Sequence, residues 1–297
     1  MTDLTVAAFH VLREVFFGAR AVPTTYALRD KRNTQGDPLD EYIQLSLSKK
    51  LPRDVQCFKA SGPLITPDLV LARPASCNGT PRESLRDDLA RIVGVEVKKL
   101  ERRRSGTVAR ASGMDFNTTP PCGTVRVYDR NRSPFDIKGF YLFVCQEAVQ
   151  EEPGYYRLTA MTLCDGDLLN ADFELYLSIV GRRTKAIGLG TYGDGADRKR
   201  PMLIFANPLG APFLDHQVTL VHARADLGKE FPRLRRVAVI RRTIPDKDPA
   251  VFHCYRVRED VPARHSVVER DDPFPQVART DRTQARGQFR LEITPGE

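Results

Sequence analysis

Two apolar segments carry charged residues at a spacing that suits a metal-binding site. The segment LITPDLVLARP, residues 64–74, contains Asp68 directly after a proline, and VGVEVKKLERRR, residues 93–104, contains Glu96 and Lys98 two positions apart. Side chains alternate between the two faces of a β-strand, so Glu96 and Lys98 are expected to point the same way. If the two segments are neighbouring strands, Asp68 lies beside Glu96, and two carboxylates and an amine converge.

These residue types suit the metal-assisted hydrolysis of a phosphodiester. Mg²⁺ is a hard cation that prefers oxygen ligands and is often held by one or two carboxylates together with a substrate phosphate. Asp68 and Glu96 are therefore predicted to be metal ligands, with Mg²⁺ as the cofactor. A metal ion at this position would polarise the phosphate and activate a water molecule. Lys98 would orient that water and balance the developing negative charge.

The spacing by itself leaves a purely structural interpretation equally open. In that interpretation Asp68 starts a strand, and Glu96 and Lys98 belong to a solvated face. Two observations favour the metal site. Both acidic residues are embedded in apolar runs, where an unpaired charge is expensive, and the run KKLERRR that begins at Lys98 supplies basic groups where a phosphate would bind. A competing motif, Asp136-Ile-Lys138, is less favourable because the nearby Asp residues that could partner it do not follow a proline.

Helical and strand periodicities indicate the elements that must hold these residues. Residues 3–17 and a segment that starts at Asp37 show apolar residues at helical spacing, and Asp37 is placed to cap the second helix, with Pro38 at its first position. Glu41 is predicted to lie beside the buried stripe of that helix, which comprises Leu39, Tyr42, Ile43 and Leu47. Strands are predicted at 64–72, 92–100, 123–128, 139–146 and 155–164, and a helix at 171–183.

The order of these elements predicts an α/β protein with a central mixed β-sheet flanked by helices. A single domain is expected over residues 1–256, with the core of the site in about 35–165 and further DNA-contacting elements in about 166–256. Residues 257–297 are polar and rich in Arg, Asp and Pro. They are therefore expected to form a loosely packed or disordered tail.

Pro67-Asp68 followed by Glu96-Val97-Lys98 resembles the PD-(D/E)xK signature of a nuclease superfamily, and the surrounding strands and helices resemble those of type II restriction endonucleases. The segment FNTTPP, residues 116–121, strengthens this resemblance, which covers roughly residues 35–165. The resemblance implies a restriction-endonuclease-like core and Mg²⁺-dependent, sequence-specific hydrolysis of double-stranded DNA. In such enzymes the matched Asp68 and Glu96 bind Mg²⁺ and Lys98 assists the water. A Glu on the preceding helix contributes in some members, which makes Glu41 a further metal ligand.

The same resemblance implies partners. A homodimer matches the two-fold symmetry of a palindromic DNA site most simply, and a cognate DNA methyltransferase would be a functional rather than a physical partner. The net charge of +8 independently favours an anionic partner. Asn can pair bidentately with adenine and Arg with guanine. The candidate DNA-binding residues are Arg102, Asn117, Thr118, Arg182 and Arg183.

Other patterns have less specific interpretations. The segment GLGTYG, residues 188–193, matches Gly-x-Gly-x-x-Gly, but Pro201 follows too soon for the helix that a dinucleotide site needs, so a loop or hairpin is predicted. The cysteines and histidines lack zinc-ligand spacing. No apolar run is long enough to cross a bilayer and the N-terminal segment does not resemble a signal peptide, so a cytoplasmic protein without membrane contact is expected.

Two alternative functions share parts of this pattern. A DNA-repair nuclease, or one that acts on modified DNA, would have the same site with different loops. A non-catalytic nucleic-acid-binding protein would have the basic surface without the site. Cleavage of DNA in the presence of Mg²⁺ distinguishes the binding protein from the nucleases.

Overall fold

The computed structural model describes residues 3–30, 37–60, 67–74, 86, 88–102, 116–118, 121–129, 131–180, 189–190, 202–205 and 218–270. The α-helices are α1 (Leu4–Phe16), α2 (Pro38–Lys50), α3 (Gly166–Val180) and α4 (Leu227–Glu230), and short 3-10 helices cover Ala19–Ala21, Leu89–Arg91 and Arg258–Asp260. The strands are β1 (Thr25–Ala27), β2 (Gln56–Lys59), β3 (Leu69–Ala72), β4 (Ile92–Arg102), β5 (Phe116–Thr118), β6 (Thr124–Tyr128), β7 (Pro134–Ala148), β8 (Tyr155–Asp165), β9 (Leu189–Gly190), β10 (Met202–Phe205), β11 (Val218–His222), β12 (Leu234–Arg242), β13 (Ala250–Val257) and β14 (Val268–Arg270).

A large mixed sheet forms the centre of the fold, as the alternation of elements predicts. Its strand order is β14-β12-β13-β11-β8-β7-β4-β3-β2, with β1 also paired to β8 and β6 to β7. The pairs β4–β7, β8–β11 and β12–β14 are parallel, and the other pairs of this sheet are antiparallel. A second, three-stranded sheet has the order β5-β10-β9. The predicted fold class, α/β with a mixed sheet flanked by helices, is confirmed at this level.

Aspartate side chains cap the first two helices, and the second helix begins at the cap that the sequence predicts, Asp37. The Asp3 side chain accepts hydrogen bonds from the backbone N–H groups of Thr5 and Val6 at the start of α1. The Asp37 side chain accepts a hydrogen bond from the N–H of Leu39 at 3.0 Å, and Pro38 occupies the first position of α2. These bonds satisfy N–H groups that have no partner inside the helix.

The sheet separates two apolar cores. One face packs against α1 and α2, and its core includes Phe9, Leu39, Ile43 and Val95. The opposite face packs against α3, and its core includes Tyr141, Phe143, Leu168 and Leu169. Because the middle of β7 is covered on both faces, residues 139–145 are apolar without alternation. A charged residue on a strand next to these cores therefore departs from the apolar pattern and needs a physical explanation.

Buried ion pairs join elements that are distant in the sequence. Arg13 on α1 bonds Asp260 through two nitrogen atoms, and the Asp260 side chain is fully buried. Arg242 on β12 bonds Asp172 on α3, and both side chains are buried. A single charge buried at any of these positions would be costly, and pairing lowers that cost. Each pair also connects its helix to a strand or turn of the fold.

The segment after residue 257 corrects one expectation. Residues 258–260 form a 3-10 helix that holds the buried Asp260, Val261 is buried, and β14 pairs with β12. The predicted loose tail therefore does not begin at residue 257, because its first residues contribute to the core; residues 271–297 lie outside the described part of the chain. Within the described residues, no helix has the length and apolar character needed to cross a membrane.

Candidate active site

The antiparallel pairing of β3 and β4 brings the two charged motifs together. Leu69 is paired with Val95 in this register, so Asp68, one residue before β3, falls beside Glu96. The Oδ2 atom of Asp68 accepts a hydrogen bond from the backbone N–H of Val97 at 2.7 Å. The structure thus places the Asp of the first motif against the middle residue of the second.

Strand alternation places Glu96 and Lys98 on the same face of β4. The Nζ atom of Lys98 donates a hydrogen bond to Oε1 of Glu96 at 2.8 Å, and the two side chains are 24% and 13% exposed. Val95 and Val97, the two neighbours of Glu96 along β4, pack on the opposite face against the core that contains α2. The predicted arrangement of this strand, with Glu96 and Lys98 on one face, is confirmed.

Within the described part of the chain, one carboxylate oxygen of Glu96 has no hydrogen-bond partner. Its Oε2 atom is buried, whereas its Oε1 atom accepts the bond from Lys98. A buried carboxylate oxygen without a partner costs about 1–3 kcal/mol or more. A cation bound at Oε2 would remove that cost, so this atom is the feature of the structure that fits a metal ion.

Asp68 lies in an environment that disfavours its negative charge. Burial, and after it the neighbouring charge of Glu96, raises the pKa of Asp68 to about 6. The hydrogen bond from Val97 and the charge of Lys98 act in the opposite sense. Two carboxylates therefore lie close together with incomplete neutralisation, which is the electrostatic situation that a bound cation stabilises.

The first turn of α2 contributes a carboxylate that the sequence prediction missed. Burial, together with the charges of Asp68 and Asp37, raises the pKa of Asp40 to about 7. Lys99 and Lys59 lower the same pKa. Asp40 is therefore part of the electrostatic environment of Asp68.

Glu41, predicted as a metal ligand, is placed differently. Its carboxylate forms an ion pair with Arg29 at 2.6 Å on the exposed side of α2, and this hydrogen bond lowers the pKa of Glu41. The carboxylate of α2 whose charge interacts with that of Asp68 is Asp40. A metal-binding role for Glu41 stays a prediction, which its pairing with Arg29 does not favour. Successive residues of an α-helix are about 100° apart, so Asp40 lies roughly 85° from the middle of the buried stripe and Glu41 roughly 175° from it. This helical geometry was available from the sequence and would have selected Asp40.

The described residues near Asp68 and Glu96 supply few possible metal ligands. Among the described residues, no group of three or more His, Cys, Asp or Glu side chains is arranged to hold a metal ion. Asp68 and Glu96 form a pair of carboxylates, and such a pair fits Mg²⁺, which usually keeps several waters and binds substrate phosphate. The unpartnered Oε2 atom of Glu96 supports the same fit.

The competing motif is occupied by other ion pairs. Asp136 is exposed and bonds Arg126 at 2.9 Å. Lys138 bonds the buried carboxylate of Asp165 at 2.6 Å and also contacts Asp167 at the start of α3. Both charged residues of this motif therefore have structural partners, which favours the pair formed by β3 and β4 as the candidate site.

The predicted DNA contacts are located only in part. Arg102 ends β4, and Asn117 and Thr118 lie in β5, where they pair with Ile204 and Leu203 of β10. Arg182 and Arg183 lie outside the described residues. In the glycine-rich segment, Leu189–Gly190 forms strand β9, which pairs with β10. DNA contact by these residues stays a prediction.

Comparison with known proteins adds no relative from which a function could be transferred. No protein-family model matches the chain, and no curated protein or solved structure matches it. The arguments on function therefore depend on the residues of this chain.

Proposed function

We propose that this chain is a Mg²⁺-dependent endonuclease that hydrolyses phosphodiester bonds in double-stranded DNA, of the type II restriction kind. The observation that carries the proposal is the register of β3 and β4, which sets Asp68 beside Glu96 and Lys98. The unpartnered Oε2 atom of Glu96 supports a cation at this position. The mixed sheet is of the kind that a restriction-endonuclease-like core requires.

Each residue of the site has a role that its contacts support. Asp68 and Glu96 would hold Mg²⁺. When bound, the ion would polarise the scissile phosphate and lower the pKa of a coordinated water. Lys98 is held by Glu96 at 2.8 Å, and from there its ammonium group can orient the attacking water and balance the charge of the pentacovalent phosphate.

The charge of the substrate makes the cation necessary. A DNA phosphate is an anion, and the bare carboxylates of Asp68 and Glu96 would repel it. Burial first, and the charge of Glu96 second, raises the pKa of Asp68, so its negative charge is disfavoured without a cation. A bound divalent cation would reverse the sign of the local electrostatic potential, so that the phosphate is attracted to the ion that the carboxylates hold.

Sequence specificity and dimerisation belong to the same proposal. The net charge of +8 supports binding to DNA through its phosphates. β5, which carries Asn117 and Thr118, lies against β4 and so near the strand that holds the site. A homodimer would match a palindromic target, and a DNA methyltransferase of the same specificity would protect the host DNA.

Cleavage of plasmid DNA tests the proposal. Wild-type protein with Mg²⁺ should convert plasmid into discrete fragments, and Lys98→Ala should lower the rate roughly 10²- to 10³-fold while DNA binding persists. Lys50→Ala is the matched control, because Lys50 is exposed at the far end of α2, roughly 15 Å along the helix from Asp40. Cleavage by Lys98→Ala at the wild-type rate would remove the catalytic assignment.

The same experiment separates the alternatives. A smear of products in place of discrete fragments would indicate a repair nuclease or one that acts on modified DNA. Salt-dependent DNA binding without cleavage by the wild type, on DNA of varied sequence and modification, would favour the non-catalytic binding protein. That binding should weaken steeply with salt, because each phosphate contact releases counterions.

A further inference from the structure

A glycine occupies the face of β4 that carries the candidate site. Gly94 lies two residues before Glu96, so a side chain at position 94 would point the same way as those of Glu96 and Lys98. Gly94 is paired on both sides, with Val70 of β3 and Gly139 of β7. Glycine weakens the interior of a strand and often marks a place where another part of the chain approaches closely. The group that lies over Gly94 therefore bears on the geometry of the site.

The ring of Pro67 lies over Gly94. A Cβ atom at position 94 would lie 3.1 Å from Cγ and 3.4 Å from Cβ of Pro67, and 3.4 Å from Cδ1 of Ile137. Non-bonded carbon atoms attract best at about 3.5–4.0 Å, so the approach to Cγ would be repulsive. Pro67 is buried, and Ile137 belongs to a small apolar cluster on the same face. A side chain at position 94 would therefore push the ring of Pro67 away from the strand.

Movement of Pro67 is transmitted to Asp68. The two residues are consecutive, and the ring fixes the φ angle of the proline. The backbone carbonyl of Asp68 accepts a hydrogen bond from the N–H of Ala60 at 2.9 Å, and its Oδ2 atom accepts the bond from Val97 at 2.7 Å. The residue after Asp68 begins β3. Because the sheet holds the chain on that side, a displaced ring must shift Asp68 relative to β4.

We propose that Gly94 is a positioning residue of the site: it leaves room for Pro67 on this face, and Pro67 holds the carboxylate of Asp68 beside Glu96. The consequence for cleavage rests on the proposed nuclease function. The placement of Asp68 by Gly94 is independent of that function and can be measured in the protein without DNA or metal.

Amide hydrogen exchange at Val97, followed by NMR, measures the placement of Asp68. The N–H of Val97 donates to Asp68, and Asp68→Ala gives the exchange rate without that bond. In Gly94→Val, Val97 should exchange roughly 10- to 100-fold faster than in the wild type, because a hydrogen bond to a carboxylate is lost. Gly94→Ala should give a smaller increase. An unchanged rate at Val97 in folded Gly94→Val would overturn the proposal.

Two further variants separate positioning from a general loss of stability. Ile137→Val is the matched control, because it removes Cδ1 of the other neighbour and weakens the core without pushing Pro67. Exchange at Val97, relative to the other amides of β4, should stay as in the wild type. In a Pro67→Ala background, which removes the Cγ atom, Gly94→Ala should add little to the exchange rate at Val97. Additive effects of these two substitutions, or an Ile137→Val effect as large as that of Gly94→Val, would overturn the proposal.

Cleavage kinetics provide the second readout. In Gly94→Ala, kcat should fall roughly 10- to 100-fold with little change in KM, because the proposed metal ligand Asp68 is misplaced while the DNA contacts remain. In the Pro67→Ala background the same substitution should cause little further loss. A wild-type kcat in a variant whose Val97 amide exchanges faster would overturn the positioning role. If the wild type cleaves no DNA, the nuclease proposal fails, while the exchange experiment still decides whether Gly94 positions Asp68.

Discussion

The Oδ2 atom of Asp68 accepts a hydrogen bond from the backbone N–H of Val97, at 2.7 Å. This bond joins the residue before β3 to the residue between Glu96 and Lys98, so the backbone of one motif positions the side chain of the other. Because an amide oxygen can accept the same bond, Asp68→Asn removes the charge and retains the contact. That substitution separates the charge of Asp68 from its structural role.

Mg²⁺ should stabilise the wild-type protein and not Asp68→Asn. A ligand that binds only the folded protein stabilises the protein against unfolding. The gain in the free energy of unfolding rises with the logarithm of the ligand concentration divided by Kd. The rise in Tm with Mg²⁺ should be larger at pH 8 than at pH 5, because protons compete with the metal at Asp68, whose pKa burial raises to about 6. Asp136→Asn is the control, since it removes an exposed carboxylate from the competing motif. An equal response to Mg²⁺ in Asp68→Asn would count against the metal site.

Asp40→Asn should increase stability at pH 8. Burial, together with Asp68 and Asp37, raises the pKa of Asp40 from about 3.8 to about 7 in the folded protein. As the pH rises from about 4 to 7, the unfolded chain loses this proton first, so the wild type loses stability across that window. The asparagine variant should therefore gain on the order of 2–4 kcal/mol at pH 8 and much less at pH 4. Urea denaturation at both pH values measures this difference, and an equal gain at both would contradict it.

The two neighbouring acids of α2 should differ in their effect on cleavage. Asp40→Asn should slow the reaction roughly 10- to 100-fold, since it alters the charge around a metal ligand. Glu41→Gln should leave the rate close to that of the wild type, because Glu41 is engaged with Arg29 on the exposed side of the helix. Plasmid cleavage at saturating Mg²⁺ compares the two variants. The reverse order of effects would restore Glu41 as a ligand.

Arg242→Met should destabilise the fold without any effect specific to the site. Arg242 and Asp172 are buried partners that join β12 to α3, and loss of the arginine leaves a buried carboxylate without its main partner. The free energy of unfolding should fall by about 3–5 kcal/mol. The double variant Asp172→Asn with Arg242→Met should recover part of it, because it also removes the buried negative charge that Arg242 neutralises. Urea denaturation measures this loss of stability. Arg241→Met is the control, because it changes the preceding, less buried position of β12.

Much of the local structure follows from short patterns. Asp37-Pro38 predicted the start of α2, and the apolar spacing predicted its buried stripe. Alternation along β4 predicted that Glu96 and Lys98 share a face. The predicted helix at 171–183 is α3, which begins earlier, at Gly166. These features depend on residues within one or two turns of each other, so backbone geometry alone determines them.

The tertiary structure decided what depends on distant residues. The sequence determined that Asp68, Glu96 and Lys98 lie in neighbouring apolar runs, and β-sheet pairing across 29 residues decided that Asp68 binds the backbone of Val97. Pairing of Lys99 with Asp37, 62 residues away, decided how α2 meets β4. Burial of Asp260 by Arg13 decided that the chain after residue 257 belongs to the core. Such contacts depend on which surfaces meet when the whole chain packs, and the charge or period of a short segment does not contain that information.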